Sequence, residues 1–169
     1  GFALAVTYPA AGNLGGGGFM VIHLQEGTNK TIDYREKAPQ SVDEFIYQDS
    51  LGNYLPSKSQ EGVTSSGVPG SVAGLIYALN NYGTLSLKEV IQPAIDLAMN
   101  GFELEYQLAK SLKYELDYFN KYPSSKKIFS KGGNAYMEGD LFVQYDLAKT
   151  LQLIKERGID AFYKGETAE

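Results

Sequence analysis

Arg35, in the string Asp33-Tyr-Arg-Glu-Lys-Ala-Pro39, is the residue of this chain best suited to holding a ligand. It falls at the end of a predicted strand, just before the chain turns irregular. A guanidinium placed there can present two parallel donors to a carboxylate. Asp33 and Glu36 are close enough in sequence to pair with Arg35 instead, and side-chain chemistry alone does not separate the two roles. The remaining inventory is thin. The chain has no cysteine, no serine in a Gly-x-Ser-x-Gly elbow and one histidine, His23, inside an apolar run where a hydrogen-bonded structural role fits it. One histidine and no cysteine leave a zinc ion almost nothing to bind.

The second chemical signal is Gly15-Gly-Gly-Gly18, between the apolar runs Phe2–Val6 and Phe19–Ile22. Four successive glycines strip the Cβ atoms from about 13 Å of extended chain, which predicts close approach by another segment, a ligand or a reacting group. The run lacks the Lys-Ser/Thr of a phosphate loop, and it precedes a strand where a dinucleotide loop precedes a helix. The expectation is therefore a glycine run packed against protein.

Stepping outward, Phe19 to Leu24 is nearly continuously apolar and predicts a strand buried on both faces. Gln25 to Lys30 is turn chemistry, and the alternation in Thr31-Ile-Asp-Tyr-Arg35 predicts the second strand of a hairpin. Residues 36–66 read as a long irregular loop. Helical periodicity follows: Val72, Leu75, Ile76 and Leu79 mark one helix. A second opens on the capping box Ser86-Leu-Lys-Glu89 and carries Pro93, which should kink it, before Asn100-Gly101 stops it. Leu104, Leu108, Leu112, Leu116 and Phe119 predict a third helix ended by Pro123. A loop over 124–140 with a short hairpin near Lys131–Gly133, then a fourth helix from Gln144 to Arg157 with Leu147, Leu151 and Ile154 inward, complete the pattern.

The 169 residues, 43% hydrophobic, suit a single domain spanning 1–169. A net charge of -5 and a pI near 5.0, with scattered lysines, argue against a nucleic-acid or anionic-membrane footprint. No apolar run approaches the roughly 20 residues that cross a bilayer. Both ends read as cut: Phe2–Val6 looks like the last turns of a longer helix, and Gly165–Glu169 begins a helical pattern that stops early. Partner chains or self-association are expected to cover apolar surface around the Phe19 run.

Taken together, Ala11-Gly-Asn-Leu-Gly-Gly-Gly-Gly-Phe-Met20, Ile32-Asp-Tyr-Arg-Glu-Lys-Ala-Pro39 and Gly67-Val-Pro-Gly-Ser-Val-Ala-Gly74 closely resemble the large subunit of γ-glutamyltranspeptidases. So do Tyr82-Gly-Thr-Leu85, Gln92-Pro-Ala94 and Ala161-Phe-Tyr-Lys-Gly165, in the same order along essentially the whole chain. The resemblance implies an α+β fold, helix-rich with a small antiparallel sheet portion, within the αββα sandwich of N-terminal-nucleophile hydrolases. It implies a self-cleaved precursor and a partner small subunit whose N-terminal threonine is the nucleophile and whose α-amino group is the base. No catalytic residue is then expected in this chain: Thr7, Thr28, Thr31, Thr64, Thr84, Thr150 and Thr167 are all internal. The role that carries over is substrate binding by Arg35, on the α-carboxylate of a γ-glutamyl group in a glutathione-like substrate. A concave cleft around its guanidinium is expected. No cofactor or metal is implied, and the family is usually exported or periplasmic in bacteria. Poly-γ-glutamate cleavage, β-lactam side-chain cleavage and a non-catalytic carboxylate-binding module are the alternatives.

Overall fold

The computed structural model describes residues 1–169. In chain order its elements are α1 (Phe2–Thr7), β1 (Phe19–His23), β2 (Asn29–Asp33), α2 (Pro56–Gln60), α3 (Ser71–Tyr82), α4 (Leu87–Asn100), β3 (Phe102–Glu103), α5 (Tyr106–Tyr114), α6 (Leu116–Lys121), α7 (Pro123–Phe129), β4 (Leu141–Phe142), α8 (Tyr145–Arg157) and α9 (Asp160–Tyr163). Single 3-10 turns stand at Val63–Ser65 and Gly165–Thr167. The chain forms two compact units, one of residues 1–12 with 84–169 and one of residues 13–83.

In the first unit α4 is the central helix, packed by α1 and α8. Its stripe Ile91, Ala94, Ile95 and Ala98 is buried, as are Ala5 and Val6 of α1 and Ala148, Leu151 and Ile154 of α8. Alanines on all three helices keep the backbones close, and burial of the larger aliphatic side chains stabilises the contact by about 1.5–3 kcal/mol each. The buried Gln144 amide donates to the Val6 carbonyl at 2.8 Å, tying the start of α8 to the end of α1. α4 runs on through Pro93, which has no N–H to offer the preceding turn.

The capping box forms as the sequence predicts. The Glu89 amide donates to Ser86 Oγ, and Glu89 Oε2 accepts from the Ser86 amide at 2.8 Å and its hydroxyl at 2.6 Å. These bonds, the hydroxyl first, hold the Glu89 carboxyl below its usual range. A depressed carboxyl contributes stability in full above its unfolded pKa and loses it as pH falls through the folded one. Ser86→Ala, which removes the cap, is expected to lower stability at neutral pH. Denaturant melts should show the penalty shrinking in acid; a pH-independent difference would contradict the account.

A second apolar cluster joins Leu104, Leu108, Ala109, Leu112 and Phe142, with Phe102, Phe119, Ile128, Phe129 and Tyr136 packed on it. The third predicted helix is two, α5 and α6, broken at Glu115. Pro123 starts α7 as well as ending what precedes it, because a proline at the first helical position loses no hydrogen bond. Most of the first half of the predicted 124–140 loop is therefore helical. Past it, Lys131 and Asn134 bridge in the expected tight turn. The β3–β4 pair, Phe102 with Phe142 and Glu103 with Leu141, was not foreseen.

In the second unit β1 and β2 form the expected antiparallel hairpin, with Phe19 opposite Asp33, Val21 opposite Thr31 and His23 opposite Asn29. β1 is not buried on both faces. Phe19 is 64% exposed and Val21 74%, while Met20 and Ile22 are half-buried. The register explains the difference: the partners of the exposed face, Asp33, Thr31 and Asn29, are polar, so that face alternates with water rather than forming a dry layer. His23 Nδ1 lies 2.7 Å from Asn29 Oδ1, a hydrogen bond that closes the hairpin end.

Candidate functional site

Three segments distant in sequence converge in the second unit: residues 16–18, 34–37 and 67–70. Tyr34 extends the hairpin ladder by one pair, its amide donating to the Gly18 carbonyl at 2.9 Å and its carbonyl accepting from the Gly18 amide at 3.3 Å. Lys37 and Val68 exchange both backbone bonds, at 3.1 and 2.7 Å. The Gly16 carbonyl accepts from the amides of Gly70, at 2.9 Å, and of Ser71, at 3.0 Å, which seats the first turn of α3 on the glycine run.

The glycines are what allow this. A methyl carbon at Gly17 would lie 2.5 Å from the Tyr34 carbonyl oxygen and 2.7 Å from the Glu36 amide nitrogen. One at Gly70 would sit almost on top of the Tyr34 carbonyl oxygen, and one at Gly74 would overlap the Tyr34 side chain. Real Cβ atoms do not come so near backbone, so only glycine lets these chains touch. The segment that the tetraglycine was expected to admit is thus Tyr34–Glu36 of the same chain.

Arg35 sits on this clamped segment. Its amide donates to Asp33 Oδ1 at 3.0 Å, ending β2 in a local turn. Its Nε donates to Glu36 Oε2 at 3.4 Å, and the guanidinium carbon lies 5.7 Å from the Phe19 ring centroid. Glu36 is held below the usual carboxylate range by its own backbone amide first, then by the hydrogen bond and charge of Arg35 and by the Gly17 amide, against the opposing pull of desolvation. The side chain of Arg35 is 63% exposed. With Nε turned to Glu36, the two terminal nitrogens remain for a second, planar acceptor. The neighbouring cavity, about 420 Å³ between residues 36–39 and 63–67, does not include Arg35 in its lining. Arg35 thus makes the ion pair with Glu36 that its sequence neighbours allow, and its fork faces solvent; the concave cleft expected around the guanidinium is not formed, because the side chain extends past the cavity walls built by residues 36–39 and 63–67.

The arrangement leaves guanidinium donors open beside a carboxylate held low. The carboxyls that shift all move down, away from values useful to a general acid at neutral pH. No three His, Cys, Asp or Glu side chains cluster in a way that could hold a metal, and no helix is long and apolar enough to cross a membrane. Sequence reasoning singled out Arg35 and the glycine strings separately. It missed Tyr34, the residue on which they meet, because nothing local marks a contact that spans residues 18 to 74.

Comparison with known proteins gives one consistent result. A family model described as gamma-glutamyltranspeptidase matches residues 1–169. The glutathione hydrolase proenzyme of Escherichia coli (strain K12) is 47% identical over 170 residues, covering 100% of this chain and 29% of that protein. The crystal structure of Helicobacter pylori γ-glutamyltranspeptidase superimposes with a TM-score of 0.95 at 52% identity, over 99% of this chain and 48% of that one. The Bacillus anthracis transpeptidase enzyme CapD also superimposes, with a TM-score of 0.80 at 32% identity, over 99% of this chain and 51% of that one. The chain thus spans under a third of the curated relative's length and about half of each solved chain.

Proposed function

This chain belongs to the γ-glutamyltranspeptidase family, with the α+β, helix-rich architecture of N-terminal-nucleophile hydrolases, and on that premise we propose that it forms the substrate-holding part of an enzyme that transfers or hydrolyses γ-glutamyl groups. The relatives named as glutathione hydrolases support a glutathione-like γ-glutamyl amide as substrate. In the proposed reaction a threonine hydroxyl on a companion small subunit, cleaved from the same precursor, attacks the γ-carbonyl. The threonine's α-amino group takes the proton and passes it to the departing amine, leaving a γ-glutamyl ester for water or an acceptor amine to resolve. Arg35 contributes binding: its free fork pairs with the substrate α-carboxylate and sets the distance of the γ-carbonyl from the nucleophile.

The observation that carries this reading is a guanidinium on a rigid segment, oriented through Nε and open at its terminal nitrogens. Arg35→Lys in the full-length, processed enzyme tests it. A lysine keeps the charge but cannot form the two parallel bonds, so binding should weaken by about 1.5–3 kcal/mol, on the order of 10- to 150-fold in KM for a γ-glutamyl anilide. An unchanged KM would remove Arg35 from the substrate site.

A further inference from the structure

We propose that Tyr34 is a positioning residue for substrate binding, which fixes Arg35 by locking its backbone between Gly18, Gly70 and Gly74; this rests on the carboxylate-binding reading of Arg35. The side chain of Arg35 is long and largely exposed, with its polar contact to Glu36 and its stacking on the Phe19 ring both at one edge. The chain can therefore control where the guanidinium stands chiefly through where it places the Arg35 Cα. That placement is set one residue earlier. A methyl at Gly18 would stand 3.2–3.3 Å from the Tyr34 ring edge and hydroxyl, and one at Gly74 on α3 would overlap its Cβ, Cγ and Cδ1. The ring is thus held from two sides, while its backbone pairs with Gly18 in both directions.

One half-buried residue accounts for three glycines in two separate strings: its ring meets Gly18 and Gly74, and its carbonyl meets Gly70. A functional site held by rigid neighbours keeps its geometry to within about half an ångström, and a displacement near 1 Å can cost on the order of a hundredfold. The atoms nearest Gly74 are Cβ, Cγ and Cδ1, at the inner end of the side chain and away from the hydroxyl. The ring carries the lock, so phenylalanine should serve in its place.

Steady-state kinetics of the full-length processed enzyme on a γ-glutamyl anilide decide the matter, using Tyr34→Phe, Tyr34→Ala, Gly74→Ala, Arg35→Lys and the Tyr34→Ala/Arg35→Lys double variant. Tyr34→Phe should stay within about twofold of the parent. Tyr34→Ala should raise KM about tenfold with kcat nearly unchanged. The double variant should go little beyond its worse single, since both changes act through one guanidinium. Gly74→Ala, which pushes the ring from the α3 side, should raise KM in the same way and covers the case in which Tyr34→Ala does not mature. A purely structural role would lower the active fraction, so kcat would fall with KM constant, and that outcome overturns the proposal. So do additive KM effects in the double variant. If Arg35→Lys raises KM while Tyr34→Ala and Gly74→Ala do not, Tyr34 is dismissed and the Arg35 reading stands. If Arg35→Lys leaves KM unchanged, both fall.

Discussion

Replacing Gly70 with alanine is expected to destabilise the protein and weaken substrate binding together, more than any other single methyl added to the chain. The new carbon would land on the Tyr34 carbonyl oxygen and within 3.0 Å of the Arg35 carbonyl oxygen. Both are backbone atoms, so no rotamer change relieves the clash. Moving residue 70 away breaks its bond to the Gly16 carbonyl and disturbs the parallel one from Ser71, where α3 begins. Overpacking usually costs about 1–3 kcal/mol, and a backbone-to-backbone overlap belongs at the upper end. Thermal unfolding of the full-length enzyme together with KM checks this. A Gly70→Ala enzyme with parental Tm and KM would show that the loop yields freely and that the clamp is not rigid.

Phe142→Ala should produce the largest purely structural loss. Phe142 is fully buried, edge-on to Phe102 at 5.8 Å and to Tyr136 at 5.3 Å, with Phe129 tilted against it at 6.2 Å. Removing the ring strips the centre from the aromatic cluster and leaves a cavity that its neighbours, held by the β3–β4 pair and α5, can fill only in part. A truncation of this kind costs about 3–5 kcal/mol, and Phe142→Leu should recover much of it. Denaturant melts of the two variants would contradict the packing account if alanine cost less than about 1 kcal/mol.

What the sequence made legible follows from how local each signal is. The capping box at Ser86 and Glu89 is written within four residues and forms as read. The hairpin of β1 and β2 is likewise carried by its own turn. Leu147, predicted inward, is only half-buried, and the neighbouring Ala148 takes the fully buried place, because alanine lets α8 and α4 approach more closely. Pro123 was ambiguous by nature, since the same ring that stops one helix is well suited to begin another. β3 and β4 are two residues each, too short to show any period. The apolar run of β1 suggested burial on both faces because composition cannot reveal which cross-strand partners will be polar. For Arg35, residue chemistry left a surface ion pair and a ligand site equally open, and the carboxylate-binding role came from resemblance to a family. The glycine-to-Tyr34 contacts were illegible for a different reason: the glycine run predicted a close approach, but nothing within either glycine string names the segment that approaches.

That separation bears on when the site comes into being. The Gly18–Tyr34 pair closes through a short hairpin, an event of microseconds in peptides of this kind. The Lys37–Val68 bridge must close a loop of roughly thirty residues, and its entropy is lost before the glycine contacts repay it. The arginine therefore acquires its fixed place only at the end of a non-local docking event. On the proposed carboxylate-binding role of Arg35, a nascent or partly refolded molecule would carry the hairpin without a placed guanidinium, so ligand binding should report the arrival of the 67–74 segment rather than the formation of secondary structure.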